Sequence, residues 1–175
     1  MEKVDPLVVE LLDAWPTIPA FVRSETLDVL ASNALAQAIS PSFAIGVNLA
    51  RFAFFDPIVQ DGTPRSIEVS GQVVSFLRAL ARREPDDEDI RALVGELAAQ
   101  SDLFSLTWAN DQRPADYLTP AVIQNPRVGE LEVVFQQLLL PGDTGQVLVI
   151  GQVAPGSTSE ERIFALAAQL DAADD

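Results

Sequence analysis

The stretch VGELEVVFQQLL, Val128–Leu139, decides the fold. Glu130, Glu132 and Gln136 alternate with Leu131, Val133 and Phe135, the period of two produced by a strand with one buried face. Before it, Gln124-Asn125-Pro126-Arg127 reads as a turn and Tyr117–Ile123 as a strand. After it, the cluster Pro141-Gly142-Asp143-Thr144-Gly145 reverses the chain, so Gln146–Val153 returns antiparallel. The C-terminal third is therefore a three-stranded meander. Pro155-Gly156-Ser157 ends it, and Ser159-Glu160-Glu161 opens a C-terminal helix carrying Ile163, Phe164, Leu166 and Leu170.

Between Asn48 and Asn110 the period is helical. Asn48–Phe55 is a short apolar helix ended by Asp56-Pro57, and Gln60–Pro64 is a loop. Ser66–Arg83 then sets Val69, Val73, Phe76, Leu77 and Leu80 on one face. The run Glu84-Pro85-Asp86-Asp87-Glu88-Asp89 gathers acids at the positive end of the next helix dipole, with Asp86 placed to cap it. Ile90, Leu93, Val94 and Leu97 form that helix's stripe, and Ser101-Asp102 recaps a last helical segment with Phe104 and Trp108. Near the N-terminus, Asp5-Pro6 opens a helix with Leu7, Val8, Leu11, Leu12 and Trp15, closed by Pro16. Phe21-Val22 and Leu27–Leu30 flank Arg23-Ser24-Glu25-Thr26 as a hairpin, and Ser32 and Asn33 cap the helix Ala34–Ile39. This order predicts an α+β fold. One antiparallel sheet of about five strands has helices packed on one face and a C-terminal helix, in a single domain over 1–175 with its core at about 8–166.

The chain has 11 basic and 26 acidic residues, a net charge of −15, and neither histidine nor cysteine. An acid excess of this size repels phosphate backbones and anionic lipids, so direct binding of nucleic acid or a membrane is not expected. The missing residue types exclude Ser-His-Asp and Cys-His catalysis, HExxH zinc sites and disulfide frameworks. Lys3, the lone lysine, sits near the start, which disfavours a P-loop or a Schiff base. Met1–Pro16 lacks a basic region followed by an apolar core, so it is not read as a secretory signal, and the cytoplasm is the expected address. The acid run reads as a solvated helix start rather than a calcium loop, because ligand spacing and glycine are absent. Glu130 and Glu132, roughly 7 Å apart on one strand face, read as solvent-facing rather than as a glycosidase pair. Asp111, Arg113 and Asp116 read as a salt bridge in a loop. The expectation is a protein that is not an enzyme, with no catalytic residue, no metal and no cofactor.

Arg51 stands out, because it lies within the nearly apolar Asn48–Phe55 and a guanidinium there needs an anion or several acceptors. One reading is an ion pair with a carboxylate of the chain. The other is an anchor for a ligand carboxylate at the mouth of an apolar pocket, lined by aromatics such as Phe21, Phe55, Trp108 and Phe135.

Several pieces occur in the order of a known family. They are Ile18-Pro19-Ala20-Phe21-Val22, Leu27–Ala36, Asn48 with Arg51-Phe52, Phe55-Asp56-Pro57, Phe76-Leu77-Arg78, Pro85-Asp86-Asp87, Leu93–Leu97, Ser101–Phe104, Trp108-Ala109, Pro126 with Val128–Leu131, and Leu140-Pro141-Gly142 through Ala154–Ser157. From about residue 8 to 166 the chain resembles the MmyB-like transcription regulator ligand-binding domain. The resemblance implies a PAS-like fold with a pocket for a small, amphipathic, fatty-acyl ligand, in a domain that normally follows an XRE-type helix-turn-helix. Met1 directly precedes the sensor-like region, so a chain without that DNA-binding domain is expected. The chain departs from the family at Ser32, Asn110 and Asn125, where the family tends to carry Trp, His and His. Amides in place of two imidazoles remove a protonation switch near neutral pH. Joined with the reading of Arg51 as a ligand anchor, the resemblance makes Phe21, Asn33, Arg51, Phe55, Trp108 and Phe135 the candidate ligand-binding residues, with Arg51, helped by Asn33, meeting the polar end and the aromatics burying the chain. The partners are a small hydrophobic or fatty-acyl ligand and a second copy in a homodimer. The alternative is a ligand-free dimerisation or interaction module that docks on a regulator.

Overall fold

A computed structural model describes residues 2–57, 59, 64–110, 114, 118–142 and 145–174. The alternation of Val128–Leu139 is realised as β4 (Gly129–Leu139), with Leu131, Val133 and Phe135 buried and Glu130, Glu132 and Val134 exposed. It pairs antiparallel with β3 (Leu118–Asn125) on one side and β5 (Val147–Gln152) on the other. β5 pairs with β1 (Ala20–Arg23) and β1 with β2 (Val29–Ser32), giving an open antiparallel sheet in the order β2-β1-β5-β4-β3. Seven α-helices among the described residues complete a PAS-like α+β fold: α1 (Pro6–Asp13), α2 (Ala34–Ile39), α3 (Leu49–Phe55), α4 (Pro64–Arg83), α5 (Glu88–Gln100), α6 (Asp102–Asn110) and the C-terminal α7 (Thr158–Asp174). Tyr117, the loop positions 60–63 and the turn positions 143–144 lie outside the described residues.

The chain forms two compact units, Met1–Val47 with Tyr117–Asp175, and Asn48–Asp116. The first holds the sheet with α1, α2 and α7. All four residues of β1 are buried, because alternate side chains serve opposite faces. Ala20 and Val22 join Leu30 and Leu148 beneath Leu12, Val8 and Trp15, so α1 covers that side. Phe21 and Arg23 take the other face. α7 lies along β4, where Ser159 Oγ accepts from the Glu132 amide at 2.9 Å and Arg162 donates to the Glu130 carbonyl. The second unit consists of α3–α6, with α3 and α6 both packed on α4.

Local signals placed most elements, with differences at the ends: β3 runs on through Gln124 and Asn125, read as part of the turn, and Ser32, read with Asn33 as a cap, closes β2. The second hairpin strand begins at Val29 rather than Leu27. Leu27 is in the left-handed region (φ 70), a conformation costing a non-glycine residue about 1–2 kcal/mol, and its side chain is buried. Ser24, Thr26 and Asp28 bind one another's polar groups around this turn, with Thr26 Oγ1 donating to Asp28 Oδ2 at 2.9 Å. Arg23, read as part of the turn, is instead the last residue of β1 and only 3% exposed. At α5 the cap is Asp87, which accepts from the Ile90 amide at 2.9 Å, rather than Asp86. Glu88 and Asp89 follow in the first turn, where the dipole favours them.

Asn33 caps α2, accepting from the Ala36 amide at 2.9 Å. The same oxygen accepts from Ala20 at 3.2 Å, and Nδ2 donates to the carbonyls of Leu12, Trp15 and Ile18 at 3.3, 3.1 and 2.8 Å. One buried amide thus joins the end of α1, the start of β1 and the start of α2. Asn33→Ala removes the cap and strands buried backbone groups, and is expected to cost about 2–4 kcal/mol. Asn33→Asp keeps the cap but turns a carboxylate toward three carbonyls, so it is expected to be destabilised too. Urea denaturation of both variants checks this, and a near-wild-type Asn33→Asp would contradict the donor half of the clamp.

Candidate functional site

Two aromatic clusters hold three of the six candidate residues, Phe21 and Phe135 in one unit and Trp108 in the other. In the first, Phe21 stacks on Phe43 with ring centroids 4.7 Å apart, and Phe135 meets both rings edge-on, at 6.4 Å from Phe21 and 5.3 Å from Phe43. Strand register brings them together, since Phe21 lies opposite Val149 on β5 and Phe135 opposite Gly151. Gly151 has no room for a side chain: a Cβ would stand 2.9 Å from Pro19 Cγ and 3.1 Å from Phe135 Cε1. Phe43 comes from a single 3-10 turn, Pro41–Phe43. Arg23, two residues from Phe21 and on the same face, donates to the Ser24 carbonyl at 2.9 Å and to Gln137 Oε1 at 2.6 Å. Sequence reasoning missed this buried cation. Its signal was the spacing from Phe21, which puts both on one strand face.

In the second unit Phe54 and Phe104 meet edge-to-face at 5.0 Å, and Phe104 stacks on Trp108 at 5.4 Å. The Arg78 guanidinium lies over the Trp108 ring, 4.9 Å from its centroid, and donates to the Trp108 carbonyl. A cation over an indole face gains about 0.5–2 kcal/mol. Phe55 is half-buried at the end of α3. Arg51 emerges on the outer side of α3, its side chain 45% exposed, and forks onto Glu96 of α5. Nε lies 3.0 and 3.1 Å from the two carboxylate oxygens, and Nη2 lies 2.7 Å from Oε2. The ion-pair reading of Arg51 is therefore realised within this unit. Helix geometry explains it: Ala50, Ala53 and Phe54 take the buried face and leave Arg51 outside.

The structure thus brings Phe21 and Phe135 together, and separately joins Trp108 to Phe104. Asn33 spends its amide on backbone, and Arg51 lies in a surface ion pair. The residues that replace the family's usual types also have local work. Asn125 donates to the carbonyls of Ala38 and Ile39 at 2.8 and 3.1 Å, closing the C-terminal end of α2, while its oxygen accepts from Arg127 and Val128. Asn110 donates to the Leu106 carbonyl at 2.8 Å, and Ser32 Oγ lies 3.4 Å from the Asn33 carbonyl. Glu130 and Glu132 are exposed, with Gln124 donating to Glu130 at 2.6 Å. Asp111, Arg113 and Asp116 lie outside the described residues. Among the described residues no group of three or more acids could hold a metal ion, and no helix is long and apolar enough to cross a membrane.

The hydrogen bonds from Arg51 hold the Glu96 carboxyl below its ordinary range, aided by the guanidinium charge and opposed by burial. A lowered folded-state value means that the pair's stabilisation is complete above the unfolded carboxylate range and lost as pH falls through the lowered one. The pair is solvent-screened. Glu96→Gln is therefore expected to cost only about 0.2–1 kcal/mol at neutral pH. Denaturation of both proteins across the acid range checks it, since the difference should vanish on acidification.

No curated protein matches the chain. A family model does: it spans residues 4–167 and so takes in the sheet unit and the helical unit together. With the 2-1-5-4-3 sheet in place and most of the chain matched, this protein belongs to the family of the MmyB-like transcription regulator ligand binding domain.

Proposed function

We propose that the domain is a non-enzymatic sensor that binds a small amphipathic molecule of the fatty-acyl class in the cytoplasm. The observation that carries this reading is the family match across residues 4–167, which makes the chain a ligand-binding domain. The aromatic clusters around Phe21 and around Phe104 are apolar and largely buried, with Arg23 on the strand face of Phe21 and Arg78 over Trp108, which is in keeping with an apolar ligand carrying one polar group. The net charge of −15 supports a domain that does not itself grip a phosphate backbone. Binding would act by biasing states with unequal affinity for the ligand, such as free and self-associated forms.

Self-association has one observation in its favour. The face of β3 and β4 opposite the Phe135 side leaves Leu118, Val122, Val134 and Leu138 exposed, and the acids on it, Glu130 and Glu132, gather at one end. A second copy related by a twofold axis covers this stripe while keeping the two acidic ends apart, which matters for a chain of this charge. Val134→Glu is expected to shift sedimentation from dimer to monomer.

Thermal denaturation with saturated fatty acids of several lengths tests the main reading. One of them, at about 100 times its dissociation constant, is expected to raise the midpoint by about 5–10 °C. No shift with any length would contradict it.

A further inference from the structure

The sheet ends differently on its two sides. β2 is four residues long and its outer rim is covered, since the Val29 amide donates to the Val47 carbonyl and the Gly46 amide to the Val29 carbonyl, both at 2.8 Å. β3 is eight residues long and, among the described residues, is the last strand on its side. A strand of that length offers its outer backbone groups as a template for another strand.

The hydrogen bonds of β4 fix which groups of β3 face outward. In an antiparallel strand the N–H and C=O of one residue point to the same side, and successive residues alternate. The Glu132 amide donates to Ser159 Oγ and the Leu140 amide to the Gln146 carbonyl, each at 2.9 Å, so the even-numbered residues of β4 turn toward β5 and α7. Their register partners on β3 include Leu118, Pro120, Val122 and Gln124, which therefore turn their backbone groups away from β4, to the edge. Pro120 has no N–H to offer there, and its ring occupies the place of the missing hydrogen. Other guards of an edge are missing from the strand itself: Leu118–Asn125 holds no charged residue, and its pairing with β4 runs from end to end without a bulge.

We infer that Pro120 closes this edge and so directs self-association to the neighbouring sheet face, where the partner is a second copy of the chain and assembly stops at two. The inference rests on the self-association reading above and adds the residue that decides which surface is used. Symmetry makes the choice matter. One self-complementary surface per copy closes at a dimer, whereas two, a face and an edge, link copies into an open chain.

Sedimentation velocity of the full chain, of Pro120→Val, and of Pro120→Val combined with Val134→Glu tests it, with circular dichroism of each to confirm folding. Valine restores the amide, favours a strand and keeps the face apolar. Pro120→Val is expected to shift from dimer to larger species that grow with concentration, and the double variant is expected to return to a dimer, now joined through its edges. A Pro120→Val that folds and stays dimeric, or a monomeric double variant, would overturn the inference. If Pro120→Val does not fold, Pro120→Ala, which restores the same amide, takes its place; loss of the fold in both would also overturn it, by showing that the ring serves the structure. A monomeric unaltered chain would defeat the self-association reading instead. Pro120→Val is then expected to dimerise through its edge, and a monomer there too would overturn the assignment of Pro120 as well.

Discussion

The side-chain amide of Asn33 is the constraint on which the sheet unit depends. Three carbonyls between Leu12 and Ile18 converge on its nitrogen, and the amides of Ala20 and Ala36 converge on its oxygen. These backbone groups lie where the chain leaves one element for the next; the Leu12 carbonyl also accepts from the Trp15 amide at 3.2 Å, and Asn33 gathers them at one point. Left alone, each would cost on the order of 1–3 kcal/mol once buried. A single planar amide with donors on one side and acceptor capacity on the other resolves them together. It thereby fixes α1 on one face of β1 and sets the direction in which α2 leaves β2. β1 itself is paired on both sides, by β2 and β5.

Charge is handled in a consistent way around this frame. Glu88 and Asp89 open α5 and Glu160 and Glu161 open α7, where helix dipoles favour acids. The cations are placed more selectively. Arg51 forks onto Glu96, Arg78 covers an indole ring, Arg162 reaches a strand carbonyl, and Arg23 is buried against Gln137. Asn125 shows the same economy of charge. A neutral amide spans two carbonyls at the end of α2, where an imidazole would offer one donor per nitrogen and titrate near neutral pH.

Much of the fold was legible because its signals are local. The alternation of Val128–Leu139, the caps at Asp5, Asn33 and Ser101, and the proline stops each act over a few residues, and each appears where it was expected. Asn33 as a cap was readable; Asn33 as a clamp was not, because its other partners lie 13 to 21 residues away. Arg51 drew attention for its apolar neighbours in sequence, yet helical rotation carried it to the surface, where a partner 45 residues on awaited it. Arg23 escaped notice because a cation beside Ser24 and Glu25 looks like a turn, and only pairing on both sides of β1 buries it. Leu27 was misplaced for a related reason: an apolar residue next to Val29 suggests a strand, whereas polar bonds among Ser24, Thr26 and Asp28 bend the chain first.

The central claim is that this domain holds a small amphipathic molecule. Native mass spectrometry of the protein purified from its own host, followed by lipid extraction of the same sample, tests it most directly. The account expects a species heavier than the chain by the mass of one small apolar molecule, with an extract containing an acyl compound of that mass. A bare chain and an empty extract would contradict it.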